Sequence, residues 1–86
     1  MLKIPKKYLE KIKDIYIELE SKLPFKQGLF PKDNFASIIQ VSEQAIKVEI
    51  AARNKADKEK IQYELAKTAA MCIRVIKRLD DPKFTE

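Results

Sequence analysis

The chain has 86 residues, 45% of them hydrophobic and 36% charged, with a formal net charge of +5 and a pI near 9.4. That length points to one domain, and that composition excludes both a disordered chain and a membrane-embedded one. A single cysteine, Cys72, excludes an internal disulfide, and the lack of histidine excludes His-based acid–base catalysis and His-containing metal sites.

The N-terminus, MLKIPKKYLEKIK, has lysines but no apolar stretch of the signal-peptide kind. No apolar run approaches the roughly 20 residues that span a bilayer, so a cytoplasmic protein with no membrane partner is expected. Pro5 suits the first position of a helix, where its missing N–H would have no partner. The spacing of Tyr8, Ile12, Ile15, Tyr16, Leu19 and Leu23 predicts one helix face over residues 5–22, with Lys7, Glu10, Lys11, Asp14 and Glu18 on the other. Leu23-Pro24 stops that helix, since a residue preceding proline avoids the helical region. PFKQGLFP follows, and its Phe25, Leu29 and Phe30 suit a loop packed back onto the fold, or else a lid over a pocket.

Asp33 or Asn34 can cap a second helix over residues 34–53. Its apolar residues cover about half the circumference at about 100° per residue, and Ser37, Gln40, Glu43, Gln44 and Lys47 take the other side. Ser42, Glu49 and Arg53 interrupt the apolar arc. A carboxylate in that position must be paired, hydrated or metal-bound, and Glu49 and Arg53, one turn apart, are expected to form an internal ion pair; a polar pocket or an oligomer interface is the alternative. Asn54 can take the left-handed conformation that ends a helix, and Asp57 can cap the next. So short a break predicts an antiparallel hairpin.

The third helix, KEKIQYELAKTAAMCIRVIKRL over residues 58–79, is the one the chain is built around. Ile61, Leu65, Thr68, Cys72, Val75 or Ile76, and Leu79 mark its inner face, where Cys72 reads as a small buried hydrophobe. Ala66, Ala69, Ala70 and Ile73 widen that face enough for neighbours on two sides. Lys60, Glu64, Lys67, Arg74 and Arg78 form the polar stripe. Asp81-Pro82 closes the helix, leaving residues 83–86 as a tail. The expected fold is therefore all-α, a three-helix chain with an antiparallel helical hairpin. Its apolar arcs are wider than one partner covers, so a homodimer completing a bundle is expected.

No phosphate-cradling glycine motif, CxxC or HExxH occurs, and a Ser or Cys nucleophile has no histidine to activate it. The remaining metal chemistry is carboxylate binding of Mg²⁺, for which Glu43, Glu49, Glu59 and Glu64 are candidates. SIIQVSEQAIKVEIAARN followed by KIQYELAKTAAMCIRVIKRLDD resembles the MazG-like all-α nucleoside triphosphate pyrophosphohydrolases. In that family one helix carries EExxE and the next ExxD, and acids of these motifs hold Mg²⁺ at the phosphates. Carried over without gaps, Glu43 and Glu64 keep the first acid of each motif. Gln44 and Lys47 replace two acids of the first motif, and Lys67 replaces the aspartate of the second. A shifted register would put Glu49 at the third acid, with Ala45 and Ile46 at the first two.

The resemblance thus implies a module that has lost metal-dependent hydrolysis, with no catalytic residue and no cofactor, Mg²⁺ entering only if the site is active. It implies nucleotide or anion binding by Glu43, Lys47, Glu49, Arg53, Glu64 and Lys67. A reading of a different class is a small basic adaptor for a protein or nucleic-acid complex. Lys3, Lys6, Lys7, Lys11 and Lys13 would then contact a polyanion, with Arg74, Lys77, Arg78 and Lys83 as a second basic group.

Overall fold

The computed structural model describes residues 3–22 and 34–80, and within these the side chains of residues 34–36 are not described. Three helices account for the described chain: α1, Lys6–Lys22; α2, Asn34–Arg53; and α3, Lys58–Asp80. The fold is all-α. Helix α3 packs against both α1 and α2, whereas α1 and α2 scarcely meet, so α3 is the central element. Gln44 of α2 bonds Glu64 of α3 while Gln40 shares a cleft with Met71, which makes the hairpin antiparallel. The expected packing of Phe25, Leu29 and Phe30, the cap at Asp33 and the stop at Pro82 lie outside the described residues. No described helix is long and apolar enough to cross a membrane.

The turn between α2 and α3 satisfies the backbone groups that a helix end leaves open. Lys55 N–H donates to Ala52 O at 3.1 Å and Ala56 N–H to Ala51 O at 3.0 Å. This is the paired bonding of a Schellman motif, and it demands a left-handed residue between. That residue is Lys55, with φ 55°, not Asn54 as the sequence suggests; Asn54 N–H continues the helix by bonding Ile50 O at 2.9 Å. Asp57 caps α3 as expected, its carboxylate accepting from Lys60 N–H at 2.8 Å. A lysine at positive φ carries the Cβ strain that glycine avoids. Lys55→Gly should therefore raise stability by about 0.5–1 kcal/mol, a few degrees in thermal midpoint, checked by calorimetry with Lys55→Ala as the unrelieved control.

Helix α1 turns Ile15 fully inward, with Ile12, Tyr16 and Leu19 half-buried beside it. On α2 the side that meets α3 is not the apolar one. Ser37, Gln44 and Ala51, spaced seven apart, are 0%, 3% and 7% exposed, and Val41 and Val48 flank them. Ile39, Ile46 and Ile50 run along the opposite side, and Ile46 is 53% exposed. Ser37 and Gln44, expected away from the core, are its α2 contribution. Helix α3 shows the same inversion. Arg74 and Arg78 of the polar stripe are buried, while Leu65, Ile76 and Leu79 of the expected inner face remain about half exposed. Cys72 is half-buried. The physical reason is the small stripe itself. Ser37 and Ala51 let the backbones of α2 and α3 approach where three isoleucines would hold them apart, and Gln44 finds partners on α3 that a polar core group requires.

Candidate functional site

The rotation of α2 opens a cleft of about 250 Å³ between it and α3, to which Leu19 of α1 also contributes. Gln40, Glu43, Gln44 and Lys47 line it from α2; Lys67, Met71 and Arg74 line it from α3. The four α2 residues come from two successive turns of one helix side, and Lys67, Met71 and Arg74 repeat at the same three-four spacing on α3.

Hydrogen bonds pin the cleft floor. Gln44 Nε2 donates to the Glu64 carbonyl oxygen at 3.3 Å and to Glu64 Oε2 at 3.4 Å. Thr68 Oγ1 donates to the same carbonyl at 2.8 Å. Gln44 thereby fixes the register of the hairpin and occupies one oxygen of the Glu64 carboxylate. Arg74 Nε lies 3.5 Å from Glu20 Oε1, and Lys77 Nζ lies 3.8 Å from the same oxygen. Burial pushes the Arg74 guanidinium below its ordinary value and the Glu20 charge opposes that, so α1 supplies the counter-charge for a cation that α3 buries. A hydrogen bond to Tyr16, helped by Glu20, raises the Lys77 ammonium. Lys67 also acts on α1: after the dominant hydrogen bond from Lys22, its charge helps hold the exposed Glu18 carboxyl below the usual range.

Three cations, Lys47, Lys67 and Arg74, therefore face the cleft with Glu43, and Glu20 pairs with Arg74 from outside the lining. Glu43 is the one carboxylate among the described lining residues, and Glu64 below accepts a hydrogen bond from Gln44. Lys47 and Lys67 provide point charges that suit an anion, while the Arg74 guanidinium is buried against Glu20.

Of the residues that sequence reasoning offers as ligand-binding, Glu43, Lys47 and Lys67 line this cleft and Glu64 lies beneath it. Glu49 and Arg53 are elsewhere. They pair at 3.7 Å on the far side of α2, each well exposed, so the pair is on the surface and not internal. Lys3, Lys6, Lys7, Lys11 and Lys13 are all exposed. Lys6 reaches Glu10 at 3.9 Å and Lys7 lies over the Tyr8 ring at 5.0 Å. The second basic group is not one surface, because Arg74 and Arg78 are buried and only Lys77 of the described members is exposed. Arg74 as a cleft residue, and Gln44 as its floor, are not readable from a helical-wheel argument that sends polar stripes to solvent. The signal that could have found them is the seven-residue repeat of Ser37, Gln44 and Ala51. No family model, curated protein or solved structure matches the chain.

Proposed function

We propose that this chain is a non-catalytic helical module that binds a phosphate-bearing anion in the α2–α3 cleft and acts as a homodimer. One observation supports the binding reading: Glu43, Gln44, Lys47, Glu64 and Lys67, the positions aligned with the acidic motifs of the MazG-like family, meet at one place between two antiparallel helices. The family relation is part of the proposal, with the metal-holding charge replaced by lysine. Drug-sized ligands occupy pockets of about 300–1,000 Å³, so a 250 Å³ cleft takes the phosphates of a nucleotide and leaves the nucleoside outside. Hydrolysis would need an activated water as well as charge stabilisation, and this cleft offers no histidine and a single lining carboxylate, Glu43, among the described residues.

A second copy is supported by the apolar surface that α2 leaves uncovered: Ile39, Ile46 and Ile50 are 41%, 53% and 49% exposed. The Ile39, Ile46 and Ile50 ridge is the surface to cover. Glu43 and Lys47 border it on one side and Glu49 and Arg53 on the other, a charge-balanced rim of the kind a self-complementary two-fold contact uses.

The test of the binding reading is calorimetry of the protein with pyrophosphate and a panel of nucleoside triphosphates, alongside a pyrophosphate-release assay with Mg²⁺ or Mn²⁺. Binding heat with no release is the expected result. Turnover near ~1 s⁻¹ that disappears in Glu64→Gln would replace the module with an enzyme.

A further inference from the structure

A second concavity, about 660 Å³, runs between α1 and α3 away from the α2–α3 cleft. Its floor is apolar and low: Ile12 and Leu65 border it, and Ala66 and Ala69 give it depth because their side chains end at one methyl. Its rim is basic. Lys7 and Lys11 stand one turn apart on α1 and Lys58 opens α3, against a single acid, Glu59. Tyr8, 47% exposed, lines the groove with Lys7 above its ring. The α3 lining extends from Lys58 to Ala69, about 17 Å at 1.5 Å per residue.

From this we infer that the α1–α3 groove docks an acidic amphipathic helix of a partner protein. A concavity with small residues at its base and a wall about three turns long on α3 is what a helix needs to lay its apolar face close to two others. About three turns of helix match its length. Glutamates flanking the apolar stripe of such a helix meet Lys7 and Lys11 on one wall and Lys58 on the other, so the rim selects an acidic partner and steers it in. The ridge of a second copy does not answer this description, because its own rim carries equal numbers of acids and bases. A nucleic-acid backbone would satisfy the lysines but leave the Leu65, Ala66 and Ala69 floor uncovered. The inference is independent of the anion reading, since the two sites share no lining residue.

The experiment is fluorescence anisotropy of the full chain with a labelled, helix-favouring peptide of about 16 residues, with leucines at helical spacing flanked by glutamates. The controls are a scrambled peptide of equal composition, the same peptide with lysine for glutamate, a single-stranded oligonucleotide and vesicles of anionic lipid. The acidic peptide should bind with Kd of roughly 10 μM and lose about tenfold or more in the Lys7→Glu/Lys11→Glu variant. Ala69→Glu, which fills the floor with a charge, should abolish binding, while Lys47→Glu in the other cleft should not affect it. Far-UV circular dichroism confirms that each variant keeps its helix content. Equal binding of the scrambled peptide, insensitivity to the Lys7/Lys11 reversal, preference for oligonucleotide or vesicles, or no binding below ~1 mM would each overturn the inference. So would competition that tracks only with concentration of the unlabelled chain, which would assign the groove to a second copy.

Discussion

Ile46→Glu should convert a dimer into single chains of 10.0 kDa in sedimentation equilibrium. Ile46 is central in the α2 ridge, with Ile39 two turns before it and Ile50 one turn after, and it lies opposite the side of α2 that carries the buried Ser37, Gln44 and Ala51. Burying an isoleucine contributes about 1.5–3 kcal/mol, and a glutamate at the same place would leave an unpaired charge in an apolar contact. The combined loss, about 3 kcal/mol or more, weakens self-association at least a hundredfold. The fold within one chain should survive, because the α2–α3 contact uses Ser37, Gln44 and Ala51. Asp14→Asn, exposed on α1, is the control and should leave the dimer intact. A wild-type protein that sediments only as the single chain at high concentration, or an Ile46→Glu variant still dimeric, refutes this use of the ridge.

The second large effect is expected at the cleft. Lys67→Glu reverses a half-buried charge between α2 and Glu18 of α1. With Glu43 opposite, the cleft would then carry two carboxylates against Lys47 and the already paired Arg74. A polyanion would lose an attraction and gain a repulsion of similar size, worth together about 2 kcal/mol at a partly solvated site, or thirtyfold in affinity. Calorimetry with pyrophosphate reads this directly. Lys67→Arg should retain binding, since the positive charge remains. Equal affinity in wild type and Lys67→Glu would take the anion away from this cleft.

The helices themselves were legible from local chemistry. Proline at position 5, the three-four spacing on α1 and α3, and Asp57 at the cap each act within one or two turns, and the bounds of α1, α2 and α3 follow them closely. So does the centrality of α3, whose alanines admit neighbours on two sides. What was not legible is the rotation of α2 about its own axis. An apolar residue can be buried by the same chain or by another one, and periodicity does not distinguish the two. Ile46 and Gln44, two residues apart, exchange the roles that a single-chain helical wheel assigns them. The positive φ at Lys55 was missed because Asn54 has the better intrinsic tolerance, while the hydrogen bonds of Lys55 and Ala56 decide the position. At the cleft, Glu43, Lys47 and Lys67 meet because an antiparallel hairpin sets one helical stripe against another. Arg74 and its Glu20 partner involve a third helix that no hairpin motif contains.

Both the anion cleft and the isoleucine ridge depend on which side of α2 faces α3, and that orientation is open to direct measurement. With labelled and unlabelled protein mixed, isotope-edited and isotope-filtered nuclear Overhauser spectra separate contacts within one chain from contacts between copies, and the Gln44 side-chain amide should show intrachain cross-peaks to Glu64 and Thr68. The Ile46 methyls should show none to α3 of the same chain and cross-peaks only to the unlabelled copy. Intrachain cross-peaks from Ile39, Ile46 and Ile50 to α3, with the Gln44 amide seeing only water, would contradict the account.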